Sequence, residues 1–189
     1  MAVLALADPG LTIHGAGAFF GSEVKRMRTR ITMGSPIGEL TLVNTDGGLS
    51  ELLMGASGSP PNPSPAGTRA TAGFERTIEE LTEYFSGERD RFTVVVAMRG
   101  SEFQLRVWAL LREIPYGETR SYGDIARALG DPALAREVGA ANARNPIAIV
   151  VPCHRVIGSD GSLTGYAGGL ERKRFLLDLE AGRRPLFAP

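Results

Sequence analysis

The sequence predicts two consecutive domains: an α/β domain, followed by a mostly α-helical domain of winged-helix type. Two observations lead to this prediction. Short strand-like runs separated by Gly, Pro and Asp turns fill residues 30–54, which is typical of a strand meander. From Gly100 onward the pattern changes to short helices with capping residues at their starts, and two of them are joined by a tight turn.

The length of 189 residues suits one large or two small domains. We expect an N-terminal extension at 1–27, rich in Gly and Ala, and a C-terminal tail at 183–189. Between them we place the α/β domain at 28–99 and the helical domain at 100–182. The first of these domains contains no motif that points to chemistry.

The α/β domain is predicted to contain four strands and one helix. The strands are expected at 30–33, 39–44, 49–54 and 92–97. Residues 55–72 are expected to form a flexible loop, because they are too rich in Pro, Gly and Ser for regular structure. Apolar residues at helical spacing indicate the helix, which Gly87 ends: Phe74, Ile78, Leu81 and Phe85.

The helical domain opens with two recognisable helix starts. Ser101 can cap a helix whose apolar face includes Trp108, which we expect in the core. Ser121 and Asp124 form a capping box for a second helix over 122–129.

A third helix is expected from the cap at Asp131 to about residue 143, so that it forms a helix-turn-helix with the second. Its body carries small residues, Gly139, Ala140 and Ala141. They fit either close approach to a DNA groove or a tightly packed helix pair, and the local sequence leaves both open. A hairpin of 156–157 and Leu163 is predicted to form the wing, and a last helix is expected over 170–181.

Composition excludes several classes of protein. Lys plus Arg and Asp plus Glu balance at 21 each, so no global basic field indicates nucleic acid. The single cysteine excludes an internal disulfide framework and a cysteine-rich zinc site, and two distant histidines make any metal site unexpected. No apolar run reaches membrane-spanning length. We expect a cytoplasmic protein without a metal.

The single cysteine stands in an unusual segment. An apolar run at 147–151 leads into Pro152, and then Cys153, His154 and Arg155 follow in succession. A lone cysteine is most often a small buried hydrophobe, so the segment alone leaves a structural and a nucleophilic interpretation open. Arg155 could lower the pKa of the thiol, and the imidazole could act on the sulfur through a turn or a bridging water.

The neighbouring motifs favour the nucleophile. Pro-Cys-His-Arg-Val-Ile-Gly at 152–158 is preceded by Asn145-Pro146 and followed by Gly-Tyr-Ala-Gly-Gly at 165–169. Over about residues 28–182 the chain resembles the O6-alkylguanine-DNA alkyltransferases, which take an alkyl group from a damaged base onto their own cysteine.

This resemblance implies a ribonuclease H-like α/β N-terminal domain and a winged-helix-like, mostly α C-terminal DNA-binding domain. It also implies irreversible, stoichiometric transfer from O6-alkylguanine, and from O4-alkylthymine, in double-stranded DNA by a monomer without a cofactor. The base is expected to be flipped out of the duplex.

The resemblance also assigns roles to single residues. Cys153 is the implied nucleophile, His154 its base, Glu180 the acceptor that orients the imidazole, and Asn145 the brace between the third helix and the cysteine segment. The implied DNA- and base-binding set is Tyr122, Arg136, Ala140, Arg155, Val156, Tyr166 and Ala167. Within it Tyr122 drives base rotation, Arg136 fills the gap, Tyr166 walls the pocket, and Val156 offers its carbonyl.

One position departs from the family pattern. Many members have serine where this chain has Ala167, but the expected contact is a backbone N–H, which alanine supplies. Lys173 matches a lysine of the family motif without an evident role. The alternatives are a non-catalytic lesion binder, which would lack the cysteine, a winged-helix transcription regulator, and a Cys-His hydrolase.

Overall fold

The computed structural model of the protein describes residues 27–55, 67–70 and 72–183. The predicted extension at 1–27, apart from Met27, lies outside the described residues. The same holds for the predicted tail apart from Arg183, and for most of the predicted loop at 55–72.

The N-terminal part is built on a four-stranded sheet. Its strands are β1 (Arg28–Met33), β2 (Leu40–Thr45), β3 (Gly48–Met54) and β4 (Thr68–Arg69), in the spatial order β3-β2-β1-β4. The first three strands pair antiparallel as a meander, which confirms the three predicted strands. Strand β4 runs parallel to β1 and lies within the stretch predicted as loop. Two residues carry no periodic signal, so only the pairing with β1 defines this strand.

One helix, α1 (Glu75–Ser86), follows the sheet. Gly87 ends it in the left-handed conformation at φ 79°, as predicted. The predicted strand at 92–97 is wrong, because its one ladder contact is an isolated bridge between Val96 and Leu49. The carboxylate of Glu80 accepts hydrogen bonds from the backbone N–H groups of Thr93 and Val94 at 2.7 and 3.3 Å, so these donors are not available to a sheet.

The C-terminal part contains α2 (Glu102–Arg112), α3 (Tyr122–Ala128), α4 (Ala135–Ala143) and α5 (Leu170–Glu180). Capping boxes at Ser101 and Ser121 open α2 and α3, as the sequence predicts. Asp131 caps a 3₁₀ turn over Pro132–Leu134, and α4 starts directly after it. The indole of Trp108 is buried and donates to the carbonyl of Ala141 at 2.9 Å, which fixes α4 against α2.

The predicted hairpin of the wing is wrong. Strand β6 (Val156–Ile157) pairs in parallel with β5 (Arg120–Ser121), and residue 163 lies in no strand. Lys173 accounts for the missing strand pairing, because its ammonium donates to the carbonyls of Val156 and Thr164, each at 2.7 Å. The ammonium therefore joins the two sides of the turn where a returning strand would otherwise form its ladder.

The two parts share one apolar core. Residues 147–151 run through it, and each is at most 7% exposed. Strand β3 docks on this run, because the Leu52 N–H donates to the Pro146 carbonyl at 2.8 Å and Leu52 bridges Ile147. Within the described ranges, no helix is both long enough and apolar enough to cross a membrane.

Candidate active site

Cys153 lies at the end of the buried run and begins a 3₁₀ turn over Cys153–Arg155. The sulfur is a free thiol, and the residue is 5% exposed. Asn145 braces the run: its amide donates to the Val151 carbonyl at 2.7 Å and accepts from the Ile147 N–H at 3.0 Å. The thiol is therefore presented from backbone that is fixed by both packing and hydrogen bonds.

The run contains a strained residue. Ile149 has φ of 72°, in the left-handed region that β-branched residues rarely adopt. Such a conformation costs about 1–3 kcal/mol and persists where its surroundings determine it. Here the surroundings are the fully buried positions on both sides, Ile147 and Val151.

Glu180, at the end of α5, is the electrostatic centre of the site, and its side chain is fully buried. One carboxylate oxygen accepts from the Tyr84 hydroxyl at 2.6 Å, from His154 Nε2 at 2.7 Å and from Arg155 Nη2 at 3.0 Å. The other accepts from Arg155 Nε at 2.8 Å and from the Gly117 N–H at 3.2 Å. Burial opposes ionisation, but the hydrogen bonds from His154 and Arg155 and the positive charge of Arg155 outweigh it and hold the pKa of Glu180 at about 2.

The ionised carboxylate fixes the tautomer of His154. Because Glu180 only accepts, Nε2 of the imidazole must carry the proton, which leaves Nδ1 as a lone-pair acceptor. Nδ1 is buried and has no hydrogen-bond partner within the described part of the chain. Burial lowers the pKa of His154 despite the opposing influence of Glu180, so the ring is neutral at pH 7.

Two expectations, one about the thiol and one about Arg155, need correction. Burial raises the pKa of Cys153 to about 11, although the Asn145 amide and the Lys173 charge oppose the shift. The resting thiol is therefore protonated, and Arg155 does not activate it. Arg155 is also no DNA contact: it is 5% exposed, pairs with Glu180, and donates to the Ile114 carbonyl at 2.5 Å.

Residues of the implied base pocket lie on the loop before α5. Tyr166 is partly buried, its hydroxyl lies 4.0 Å from the sulfur of Met54, and Ala167 beside it is exposed. Tyr122 opens α3, its hydroxyl donates to the Thr164 carbonyl at 3.4 Å, and its ring lies 6.0 Å from the Lys173 ammonium. The loop and the start of α3 are thus held together.

The exposed face of α4 carries the predicted DNA contacts. Arg136 and Ala140 are exposed, while Val138, Ala141 and Asn142 form the buried face. A Cβ atom at Gly139 would lie 3.8 Å from the Tyr122 ring, an ordinary contact. Packing therefore does not require the small residues at 139 and 140, which favours the interpretation as a surface for close approach.

Two residues of the site carry no role in the sequence interpretation. Tyr84 reaches Glu180 from α1, and buried Lys173 lies close enough to Cys153 for its charge to favour the thiolate. Tyr84 follows Leu81 at helical spacing, which signals only a buried helix face. Lys173 matched the family motif, but the carbonyls that hold it were not evident. In the described ranges no cluster of three or more His, Cys, Asp or Glu side chains could hold a metal ion.

Comparison with known proteins finds relatives for both parts of the chain. Residues 29–98 match the family model for the ribonuclease-like domain of 6-O-methylguanine DNA methyltransferase, and residues 102–182 match that for its DNA-binding domain. A methylated-DNA–protein-cysteine methyltransferase of Mycolicibacterium paratuberculosis is 54% identical over 155 residues, covering 82% of this chain and 93% of the relative. A protein of the same name from Methanosarcina barkeri is 50% identical over 147 residues, covering 77% and 92%.

Solved structures give the same result. The crystal structure of the Mycobacterium tuberculosis O6-methylguanine methyltransferase superposes with a TM-score of 0.76 at 49% identity, covering 85% of this chain and 96% of the other. The structure of the Mycobacterium tuberculosis OGT in complex with DNA gives the same TM-score and coverage at 48% identity. The two-domain fold and the similarity along both domains lead to one conclusion: the chain belongs to the 6-O-methylguanine DNA methyltransferase family.

Proposed function

We propose that this protein repairs O6-methylguanine in DNA by moving the methyl group irreversibly onto Cys153. The observation that carries the assignment is the imidazole of His154, held by Glu180 at 2.7 Å with its Nδ1 lone pair free, one residue from the cysteine. Relatives named methylated-DNA–protein-cysteine methyltransferase and a relative crystallised with DNA support the same reaction and the same partner.

The chemistry follows from the protonation states. His154 Nδ1 takes the thiol proton, directly or through a water, as the sulfur approaches the methyl carbon. A carbon–sulfur bond forms while the carbon–oxygen bond breaks, and the electron pair leaves with guanine O6. The imidazolium returns its proton to the departing base. Burial raises the pKa of the thiol to about 11, so the resting thiol is protonated and unreactive until a base enters the pocket.

Base recognition is assigned to the loop and helix residues. Val156 gives one carbonyl lone pair to Lys173 and keeps the second for the exocyclic amine of guanine. Tyr166 forms the wall, the Ala167 N–H contacts the base oxygen, Tyr122 drives rotation of the nucleotide, and Arg136 fills the gap in the stack. Asn145 holds the cysteine segment in register with α4.

The finer properties are also part of the proposal. The partner is double-stranded DNA containing O6-alkylguanine, and O4-alkylthymine fits the same pocket. We infer that the division between the domains lies at residues 99–100. The monomeric state and the cytoplasmic location remain predictions from the sequence. Non-catalytic binding and a role in transcription leave the buried Cys153, His154 and Glu180 arrangement without a purpose.

The decisive experiment is mass spectrometry after mixing with an oligonucleotide that contains O6-methylguanine. The expected result is one added methyl mass on the peptide with Cys153, with one equivalent of DNA repaired per protein molecule. Cys153→Ala should bind the lesion and transfer nothing. Repeated turnover, or a methyl group on another residue, would refute the suicide mechanism, whereas binding without transfer by the wild type would favour the lesion-binding function.

A further inference from the structure

Within the described residues of the α/β domain, Tyr84 brings a polar group to the site. Tyr84, on α1, is fully buried, and its hydroxyl donates to Glu180 at 2.6 Å across 96 residues of sequence. The same hydroxyl oxygen lies 3.5 Å from His154 Nε2. The ring packs edge-on against Tyr116, with the centroids 6.1 Å apart, so its direction is fixed by packing.

The Tyr84 hydroxyl always donates the hydrogen bond to Glu180, because neither group changes its protonation state near neutral pH. Burial and the charge of Glu180 keep the pKa of Tyr84 well above 10, so the hydroxyl is a permanent donor. Its single proton goes to the carboxylate oxygen that also accepts from His154. A hydrogen bond between a neutral donor and a buried charge is among the stronger kinds in proteins.

Resting on the proposed function, we propose that Tyr84 is a positioning residue for the transfer step. Its hydroxyl holds the Glu180 carboxylate in the orientation that directs His154 Nδ1 towards the thiol. The α/β domain thereby acts on the reaction through Glu180, without touching the thiol or the base.

The proposal has a consequence for pH dependence. The ionisable groups around the imidazole are Glu180 and Lys173 on α5, the adjacent Cys153 and Arg155, and Tyr84 on α1. Without the phenolic donor, the carboxylate charge is shared among fewer hydrogen bonds and attracts an imidazolium more strongly. The pKa of His154 therefore rises. Since only the neutral ring can accept the thiol proton, the fall in transfer rate on the acid side of the pH profile should move to higher pH.

The test compares Tyr84→Phe with the wild type at saturating methylated duplex, from pH 5 to 9. Rates are normalised to the fraction of molecules that accept a methyl group, so unfolded protein does not count. We expect transfer to slow by about tenfold, with an unchanged Kd for DNA and the acid limb moved upward. The matched control is Tyr116→Phe, which keeps the ring that packs on Tyr84 and should keep the wild-type rate. It removes a hydroxyl whose hydrogen-bond partner within the described residues is the Leu179 carbonyl, at 3.5 Å.

A double-mutant cycle separates positioning from simple tethering of the domains. If Tyr84 acts through Glu180, Tyr84→Phe should change the rate less than twofold in a Glu180→Gln background. Equal rates and superimposable pH profiles for Tyr84→Phe and wild type would overturn this inference alone, as would a full tenfold loss in the Glu180→Gln background. A wild type that gains no methyl mass would overturn the proposed function as well.

Discussion

At the scale of the residue, the ionisation of Glu180 is tied to the folded state. Five hydrogen bonds reach its two carboxylate oxygens, and its pKa is held at about 2 against an ordinary value of 4.5. A carboxyl with a lowered pKa in the folded protein adds stability that is fully present above about pH 4.5. That stability is lost as the pH falls towards 2.

This dependence gives a prediction for Glu180→Gln. At pH 7 the variant should lose about 3–5 kcal/mol of unfolding free energy, because buried Arg155 no longer has a charged partner. The difference from wild type should shrink as the pH falls from about 4.5 towards 2, because the carboxyl of the unfolded chain is protonated below about 4.5 and that of the folded protein only near 2. Urea unfolding of both proteins between pH 2 and 8 measures this. A constant difference across the range would show that the charge of Glu180 does not stabilise the fold.

At the scale of the element, α4 has one buried face and one exposed face. Val138 and Ala141 face the core, and the Ala141 carbonyl anchors the helix to Trp108, while Arg136 and Ala140 face outward. A helix that places its small residues on the outward face can approach a groove closely, and its one long outward cation can reach the base stack.

We therefore expect Arg136→Ala to slow repair of duplex DNA by about ten- to a hundredfold, or 1–3 kcal/mol, which lies within the cost of flipping a base. Reaction with free O6-benzylguanine should barely change, since a free base needs no flipping. Single-turnover rates on the two substrates test this. Equal losses on both would place Arg136 in support of the pocket, and weaker binding to damaged and undamaged DNA alike would make it a phosphate contact.

Sequence patterns predicted the elements with local signals. Capping residues at Ser101 and Ser121, and Gly87 after α1, placed the helix ends correctly, because a cap is read within four residues. The strand at 92–97 failed because a buried glutamate on α1 takes its backbone donors, and the hairpin failed because a lysine on α5 joins the two sides. Both competitors are distant in sequence and have no local signature.

The site shows the same limit. Cys153, His154 and Asn145 lie within nine residues of one another, so their motif is visible in the sequence. The pairing of Arg155 with Glu180 depends on how α5 packs against the cysteine turn, and the contact from Tyr84 depends on how α1 meets α5. The raised pKa of the thiol comes from its burial in the core. Burial decides the charge states here, and the sequence alone does not give burial.

At the scale of the whole molecule, Arg172 joins the two domains. It is 5% exposed, and its guanidinium donates to the carbonyls of Ile37 at 2.8 Å, of Gly55, and of Gly168 at 3.4 Å. The first two carbonyls belong to the α/β domain and the third to the loop that carries Tyr166. One side chain thus connects the α/β domain to the loop before α5, which carries the proposed wall of the base pocket.

Arg172→Met should remove these bonds and leave buried carbonyls without donors. We expect a loss of about 2–4 kcal/mol in unfolding free energy and slower benzyl transfer from free O6-benzylguanine, since the loop that carries Tyr166 loses its anchor. Arg174→Met is the matched control, because Arg174 is exposed on the same helix and should change neither quantity. Thermal unfolding and benzylguanine kinetics on both variants measure the effect; identical behaviour would refute the anchoring role.

The bond between Trp108 and α4 also gives the protein a built-in optical reporter. Trp108 is the one tryptophan in the sequence, it lies in the helical domain, and its N–H donates to the Ala141 carbonyl on α4. Intrinsic tryptophan emission therefore reports on the packing of α4 against α2 without any label. The α/β domain contains no tryptophan and does not contribute to this emission. Thermal unfolding can be followed both by tryptophan emission and by far-ultraviolet circular dichroism. Coincident curves would show that the two domains unfold together as one cooperative unit, because they share one core.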